Sequence, residues 1–320
     1  MREKIYFQID AEFHRRRLDD FLFDKFYSLS KMYLREVIKE GHCEVNGYTG
    51  NSGVILKTRD FVEIEVDLDR ETAMRPEAFP LDIVYEEHAF LLVNKPAEML
   101  VHPTHRDKNG TLLNALSYYL NQEVLRQRSG EISVADDQFE IRNPKSEIVR
   151  PGLVHRLDKK TSGLILIAKT AHAHRVLSAH FERKLVEKKY LALVEGVVKE
   201  DVGEISAPIG RFEETKHWNI KTDGKAAESR FRVMERYAET TLLELQPVTG
   251  RTNQLRIHCE YIGHPIVGDE RRGGREFGRL CLHAYKLAFY HPTEHCRLEF
   301  EIDLPPNFIE GNKPEQISEK

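Results

Sequence analysis

The sequence predicts an α+β fold, in which a small αα-β module precedes a larger domain with a mixed, mainly antiparallel sheet and flanking helices. Three observations predict it. Near the amino terminus, two segments with helical spacing of apolar residues precede two strand-like segments. In the larger part, strand-like segments follow one another through short turns, which favours antiparallel pairing. Helical segments there are too few for regular βαβ winding.

The amino-terminal module is predicted over residues 1–66. The stretch "LDDFLFDKF" has apolar residues at helical spacing, and "SKMYLREVIKEG" is predicted to form a second helix that begins after a cap at Ser30 and stops at Gly41. "HCEVNG", with an Asn-Gly turn, and "DFVEIEV" then alternate as strands do. Residues 67–80 contain two prolines and little periodicity, so they are predicted to be a linker.

The larger domain is predicted over residues 81–304. Its elements are a hairpin in "IVYEEHAFLLVNKP", a buried strand in "GLILIAKT" and a helix in "TAHAHRVLSAHFERK" capped by Thr170. A strand in "KYLALVEGVV" and two more in "ESRFRVMERYAETTLLELQP" follow. The polar segment 121–150 is predicted to loop out, and residues 305–320 are predicted to be a flexible tail.

Composition indicates a cytoplasmic protein without a metal or membrane role. No stretch approaches the roughly 18 consecutive apolar residues of a membrane span, and the first residues lack the apolar core of a secretory signal. Four scattered cysteines predict free thiols in a reducing compartment. No Cys-x-x-Cys or His-x-x-x-His pairing occurs among the candidate zinc ligands, which are His258, Cys259, His264, Cys281, His283, His295 and Cys296.

The formal net charge of −4 counts at first against a nucleic-acid partner. Binding depends on a local patch, however, and basic clusters such as "HRRR", "RKLVEKK" and "RRGGR" can each supply one. Phosphate-binding glycine motifs and a Gly-x-Ser-x-Gly elbow are missing from the sequence, so nucleotide cofactors and a serine hydrolase have no support.

One carboxylate stands out in "HRLDKKTSG", directly before the predicted buried strand. Asp158 has Arg156, Lys159 and Lys160 close in sequence, and nearby cations lower the pKa of a carboxyl group, so we expect it to be ionised at neutral pH. An ionised carboxylate can act as a nucleophile, an electrostatic stabiliser or a base. The alternative is that Asp158 only caps the turn and pairs with an arginine.

A resemblance extends over most of the chain. "PGLVHRLDKKTSGLILIAKT" resembles the signature of the RluA-type pseudouridine synthases. "LLVNKPAEMLVHP", "EKKYLALVEG", "DGKAAESRFRV", "GRTNQLRIHCEYIGHPIVGD" and "LCLHAYKLAFYHP" are similar to the other blocks of that family, in the same order. "RRLDDFLFDKF", "IKEGHCEVNG" and "LKTRDFVEI" resemble the alpha-L RNA-binding module that many members have in front.

The resemblance implies an activity and four catalytic residues. Members isomerise uridine in RNA without a cofactor or metal: the C1′–N1 bond breaks, the base turns, and C5 bonds to C1′. Asp158 would begin the reaction by attack on C1′ or the base, or by proton abstraction from the sugar. Arg156 would fill the space that the flipped uridine leaves, Tyr190 would stack on uracil and assist proton removal from C5, and Arg256 would pair with Asp158 through a bidentate contact.

Further residues are expected to bind RNA. Lys95 and Arg251 are assigned to the RNA backbone, and one face of the module around its second helix is expected to be basic although residues 1–66 contain 11 Lys and Arg against 12 Asp and Glu. The cations of this face are Arg15, Arg16, Arg17, Lys31, Arg35 and Lys39. Two positions depart from the family pattern: Glu98 where glycine is usual, and Asn253 where histidine is common.

The sequence therefore predicts an RNA pseudouridine synthase that works as a monomer in the cytoplasm, needs no cofactor and has no membrane partner. Large-subunit ribosomal RNA is the expected substrate, and transfer RNA is the alternative. A catalytically silent RNA-binding or ribosome-assembly protein remains a second class of function. A carboxylate-dependent hydrolase is disfavoured because no second carboxylate lies in a comparable strand-end motif.

Overall fold

The computed structural model describes residues 2–26, 29–68, 75–104, 106–122 and 150–309. By its internal contacts the chain forms two compact units. Unit 1 comprises Met1–Pro80 and His102–Pro151, and unit 2 comprises Leu81–Val101 and Gly152–Lys320. Most of the polar segment that was predicted to loop out, residues 121–150, lies outside the described residues.

Unit 1 contains a four-stranded antiparallel sheet in the order β1-β4-β2-β3, packed against two helices. Apolar side chains of both helices meet alternate residues of β4 in one core, because β4 turns Val62, Ile64 and Val66 to the same face. The elements are β1 (Arg2–Gln8), α1 (Leu18–Lys25), α2 (Lys31–Lys39), β2 (Cys43–Val45), β3 (Tyr48–Thr49) and β4 (Phe61–Asp67).

The local signals of this region are confirmed. The Ser30 hydroxyl accepts a hydrogen bond from the Tyr33 amide at 3.2 Å and so caps α2. Asn46 and Gly47 both have positive φ, as a two-residue turn between β2 and β3 requires. Strand β1 was not predicted. It pairs along its whole length with β4, and sequence periodicity does not contain such a long-range pairing.

A third helix, α3 (Leu112–Tyr119), lies in the later part of unit 1 and was also not predicted. Its cap residue Thr111 forms a capping box with Asn114. The side-chain amide of Asn114 also donates to the Arg75 carbonyl at 2.8 Å, and the backbone carbonyl of Asn114 accepts from the Glu77 amide at 3.1 Å. The described end of the predicted linker, residues 75–80, is thus held against α3.

Unit 2 is built on a sheet in the order β10-β13-β14-β9-β15-β8-β6-β5, with β16 added beside β15 and β7 beside β8. All its pairings are antiparallel except the short parallel contact of β8 with β15. The mixed, mainly antiparallel α+β class is therefore confirmed. The strands are β5 (Ile83–Glu86), β6 (Phe90–Lys95), β7 (Gly152–Leu153), β8 (Ser162–Ala168), β9 (Glu187–Glu195), β10 (Val202–Ser206), β13 (Glu228–Arg236), β14 (Thr240–Pro247), β15 (Leu282–Tyr290) and β16 (Arg297–Glu301).

Smaller elements complete unit 2. Helix α4 (Ala171–Glu182) is capped by the Thr170 hydroxyl, which accepts from the Ala173 amide at 3.1 Å as predicted. Helix α5 (Gln254–Tyr261) follows β14 along the chain. A separate antiparallel pair consists of β11 (Ile209–Arg211) and β12 (Trp218–Ile220).

Strand β8 is the fully buried strand that its apolar run predicted. At its start, Gly163 pairs with both Lys95 on β6 and Ala284 on β15. A Cβ atom on Gly163 would lie 2.3 Å from the Ala284 carbonyl oxygen, and its φ of +114° also favours glycine. This glycine lets three strands converge five residues after Asp158.

The prediction that the tail is flexible from residue 305 is wrong for its first part. Phe308 is buried, its ring lies 5.4 Å from the Arg279 guanidinium, and its carbonyl accepts from the Cys281 thiol. Burial of one large aromatic ring stabilises enough to anchor a short segment. Residues 310–320 lie outside the described part of the chain.

Candidate active site

The loop before β8 places Asp158 at the end of the central sheet. The Thr161 amide donates to the Asp158 carbonyl at 3.1 Å, which closes a turn directly before the strand. The side chain of Asp158 is partly buried, whereas that of Arg156 is exposed. A hydrogen-bonded turn directly before a buried strand holds a side chain more firmly than an open loop does.

His155 is fixed in this loop as a neutral imidazole. Its Nε2 accepts a hydrogen bond from the Leu166 amide at 2.9 Å, and its ring stacks on Phe181 with centroids 4.5 Å apart. Burial, with a smaller effect of Lys188, lowers the pKa of His155 to about 3. A histidine that accepts from a backbone amide and remains neutral supports the loop and does not carry a positive charge.

The expectation that Lys95 contacts the RNA backbone is corrected by its burial. Its side chain is completely buried, and its ammonium group donates to the carbonyl oxygens of Pro96, Met99 and Lys159 at 2.7, 2.8 and 3.2 Å. A lysine has three donors, and all three are used here. Lys95 therefore ties the β6 end to the loop of Asp158 and has no donor left for phosphate.

A cleft of about 950 Å³ opens beside this loop in unit 2. Its walls are formed by the loop of Asp158, the end of α4, the start of β9 and the segment from the end of β14 into α5. Five of the predicted site residues line it together, although up to 100 positions separate them in sequence. They are Arg156, Asp158, Tyr190, Arg251 and Arg256.

The electrostatics of Asp158 differ from the expectation. Burial raises its pKa above the ordinary value, while Arg256, then Arg156 and then Lys95 act to lower it. The negative charge of Asp269 adds to the increase. The sequence predicted a lowered pKa because the neighbouring cations can be counted along the chain, whereas the burial of the carboxylate cannot.

Arg256 makes its bidentate contact with Asp269 and not with Asp158. Its Nε and Nη2 donate to the two carboxylate oxygens of Asp269 at 2.6 and 2.7 Å, and Nη1 donates to Asn253 at 3.1 Å. Burial alone would lower the pKa of Arg256, but the hydrogen bonds and charge of Asp269 raise it. Asp158 contributes only a weaker electrostatic interaction, so the expected pairing is corrected in this respect.

Tyr190 lies on β9 between Leu245 of β14 and Ala284 of β15 in the register of the sheet. It is buried, and burial followed by the charge of Asp158 raises the pKa of its phenol. The ring is therefore neutral at ordinary pH. Because side chains alternate across a sheet, Tyr190 faces the opposite side from its neighbour Lys189.

Sequence reasoning did not single out several residues of the site. Arg230 lines the cleft, but a single cation on a strand gives no signal in the sequence; Lys184 and Lys188, which also line it, belong to the basic cluster "RKLVEKK". Asp269 lies within the quoted block "GHPIVGD", and its distance of 13 positions from Arg256 does not indicate a contact. Asn253 was noted in the sequence only because it departs from the family pattern. In the structure Asn253 has a φ of 55°, and its side-chain oxygen accepts from Arg256.

Most of the basic face predicted on unit 1 is paired with acids. The buried carboxylate of Asp19 accepts from Arg17 at 3.0 Å and from Arg35 at 2.7 Å. Burial would raise the pKa of Asp19, but these hydrogen bonds and charges lower it. Lys31 pairs with Asp20 and, at 3.9 Å, with Asp19, and Arg16 pairs with Asp24, while Arg15 and Lys39 have no ion pair within the described residues.

The described residues also bear on three other features: metal sites, cysteines and membrane-spanning helices. No group of three or more His, Cys, Asp or Glu side chains has a geometry that could hold a metal ion among them. All four cysteines are free, and only Cys296 is exposed. No helix in the described ranges is both long and apolar enough to cross a bilayer.

Comparison with known proteins gives consistent matches. The profile of a family described as RNA pseudouridylate synthase matches residues 89–261. An uncharacterized RNA pseudouridine synthase of Bacillus subtilis is 36% identical over 298 residues, which cover 92% of each chain. Ribosomal large subunit pseudouridine synthase D of Escherichia coli is 31% identical over 92% of this chain and 89% of its own.

The chain also resembles a solved structure in both fold and sequence. Human RNA Pseudouridylate Synthase Domain Containing 1 is 31% identical to this chain, with a TM-score of 0.53. The match covers 72% of this chain and 87% of the human one. A shared fold alone does not identify a function, but here the likeness of fold is accompanied by likeness of sequence.

Proposed function

Since the chain belongs to the RNA pseudouridylate synthase family, and so is an RNA-modifying isomerase, we propose that it converts uridine to pseudouridine in large-subunit ribosomal RNA with Asp158 as the reacting carboxylate. The observation that carries the proposal is the cleft, in which Asp158 lies with Tyr190, Arg156 and Arg256. Relatives named as ribosomal large subunit pseudouridine synthases support the choice of substrate.

The reaction needs a reactive carboxylate. The C1′–N1 bond of uridine breaks, the base turns, C5 bonds to C1′, and the proton on C5 leaves while N1 gains one, so the product is an isomer of the substrate. A carboxylate whose pKa is raised by burial is more basic than one in water. That property suits Asp158 for attack on C1′ or the base, or for proton abstraction from the sugar.

Arg156 and Tyr190 are proposed to handle the flipped base. Taking a base out of a helix costs a few kcal/mol of stacking and pairing. Arg156 is exposed on the rim beside Asp158, where a cation can fill the vacated space and contact phosphate. Tyr190 offers a neutral ring inside the cleft on which uracil can stack.

Recognition of the RNA is assigned to two surfaces. Arg251 lines the cleft and donates through Nε to the Ala226 carbonyl at 3.0 Å, so the rest of its guanidinium can reach a phosphate. Residues 1–66 are proposed to be an RNA-binding module, with Arg15 and Lys39 as its contacts because neither has an ion pair within the described residues. We place the enzyme in the cytoplasm, where free thiols persist.

Mapping pseudouridine in the RNA of the source organism, with and without this protein, tests the activity. We expect one or more sites in large-subunit ribosomal RNA to disappear on deletion, and to return with the wild-type gene but not with Asp158→Asn. Loss of sites only in transfer RNA would replace the proposed substrate. Persistence of every site, or full restoration by Asp158→Asn, would refute the proposal.

The control variant is Asp223→Asn, which changes the same residue type on an exposed turn where Asp223 pairs with Lys221. It should restore all sites. Because an ionised carboxylate with a raised pKa destabilises the fold, Asp158→Asn should be at least as stable as the wild type at pH 7. Loss of activity in a protein of undiminished stability assigns the defect to chemistry.

The RNA-binding surfaces are tested in the full chain by the salt dependence of RNA affinity. Each phosphate contact contributes roughly 0.7 to 0.9 to the slope of log affinity against log salt. Arg15→Gln and Lys39→Gln are each expected to reduce the slope by about that amount, whereas Lys199→Gln, an exposed lysine of unit 2, should leave it unchanged. Unchanged slopes in both unit 1 variants would remove these two residues from the RNA contact.

A further inference from the structure

Asp269 does not line the cleft, yet it holds a residue that does. Arg256 uses three of its five N–H donors on two partners: two on Asp269, at 2.6 and 2.7 Å, and one on Asn253, at 3.1 Å. The side chain of Arg256 is 12% exposed and that of Asp269 is 2% exposed. Charged hydrogen bonds of this length between buried partners fix the plane of a guanidinium.

The turn that carries Asp269 is itself rigid. Gly268, with a φ of +82°, precedes it, and a Cβ there would lie 1.9 Å from the carbonyl oxygen of Arg279. The Asp269 amide donates to the Ile266 carbonyl at 3.0 Å, and its carbonyl accepts from Arg272 at 2.8 Å. A carboxylate on such a turn has little freedom to follow Arg256, so Arg256 must take the orientation that the turn imposes.

We propose that Asp269 is a positioning residue of the pseudouridine synthase site, which orients Arg256 beside Asp158 and offsets its charge. The inference rests on the proposed role of Asp158. It assigns to Asp269 a function that its place outside the cleft does not suggest: Asp269 orients Arg256 through hydrogen bonds, and its charge also acts on Asp158 from a distance.

The contact of Arg256 with Asp269 leaves the carboxylate oxygens of Asp158 available for reaction. A bidentate arginine would occupy both carboxylate oxygens and weaken them as a nucleophile or base. Because the bidentate contact of Arg256 is with Asp269, Arg256 stabilises the negative charge of Asp158 electrostatically without hydrogen bonding to both of its oxygens. The charged groups that act on Asp158 are then Arg256, Arg156 and Lys95, opposed by Asp269.

The test is the pH dependence of single-turnover pseudouridine formation with Asp269→Asn, using RNA that contains a site identified by deletion. The acid limb reports ionisation of the reacting carboxylate. Removing the negative charge of Asp269 leaves Arg256 uncompensated, so the limb should move to lower pH, by roughly 0.5 unit or more. The plateau rate should fall about tenfold because Arg256 is less firmly oriented.

Two comparisons separate positioning from general stability. In an Arg256→Lys background, Asp269→Asn should have little further effect on the plateau rate, because Asp269 orients the site only through the guanidinium of Arg256. Glu244→Gln is the matched control: Glu244 is also a buried carboxylate in an ion-pair network, with Lys189 and Arg232, and faces away from Tyr190. It should lower stability without moving the acid limb.

Asn253→Gly provides a second variant if Asp269→Asn does not fold. Glycine accepts the φ of 55° at this position, and the change removes only the third hydrogen bond of Arg256. The plateau rate should fall several-fold while RNA affinity stays within twofold. An unchanged plateau rate would overturn the claim that the orientation of Arg256 matters.

The outcomes distinguish this inference from the function on which it rests. An active wild type whose acid limb is unmoved in Asp269→Asn, or whose Asp269 and Arg256 effects multiply independently, overturns the inference alone. A wild type that forms no pseudouridine overturns the proposed function and the inference with it. A shifted limb together with non-additive effects supports both.

Discussion

Replacing Lys95 by methionine should change the pH dependence of stability in unit 2. Lys95 is completely buried, and burial lowers its pKa from 10.5 to about 8, although Asp158 and Glu98 act to raise it. Each pKa unit corresponds to about 1.4 kcal/mol, so folding disfavours the ammonium form by about 3 kcal/mol. Methionine has a similar length and no charge, so it removes this cost.

The sign follows from proton binding. Because the pKa of Lys95 is lower in the folded state, the unfolded chain binds more protons between pH 8 and 10.5, and wild-type stability rises with pH across that window. Relative to Lys95→Met, the wild type should therefore gain about 2 kcal/mol between pH 7 and 9.5. The three carbonyls that lose their donor add an offset that does not depend on pH.

The assay is urea unfolding at several pH values, followed by the fluorescence of Trp218, the single tryptophan of the chain, which lies in unit 2. Cysteine thiols and tyrosine phenols titrate in both the wild type and Lys95→Met, so their contributions cancel in the difference between the two free energies of unfolding. Lys199→Met, a change at an exposed lysine, is the control and should give a constant offset. A difference between wild type and Lys95→Met that stays constant within about 0.5 kcal/mol across the range would refute the reasoning.

Three further changes have defined outcomes in the same unfolding assay. Glu98 has a φ of 63°, where glycine has no steric cost, so Glu98→Gly should stabilise unit 2 by roughly 0.5–1 kcal/mol; a loss of stability would contradict this account of the turn. Gly163→Ala would place a Cβ 2.3 Å from the Ala284 oxygen and should cost about 3 kcal/mol or more and reduce pseudouridine formation, whereas a neutral effect would show that the three strands can separate there. Phe308→Ala should cost about 3–5 kcal/mol, and a loss below about 1 kcal/mol would mean that Phe308 does not anchor the chain end.

Local sequence signals predicted the elements that local interactions form. The caps at Ser30 and Thr170, the Asn46–Gly47 turn and the buried strand β8 all depend on residues within a few positions of one another. Strand β1 and the parallel contact of β8 with β15 were not predicted, because both are pairings between residues far apart in sequence.

In the candidate site, too, local features could be predicted from the sequence and long-range contacts could not. The sequence by itself determined the residue types of the site and their family, because the motif around Asp158 and the blocks containing Tyr190 and Arg256 can be read along the chain. Only the tertiary structure decided that Lys95 is buried, that Asp269 takes the fork of Arg256, and that burial raises the pKa of Asp158. Burial and pairing depend on which distant segments meet in the fold, and a linear motif does not contain those distances.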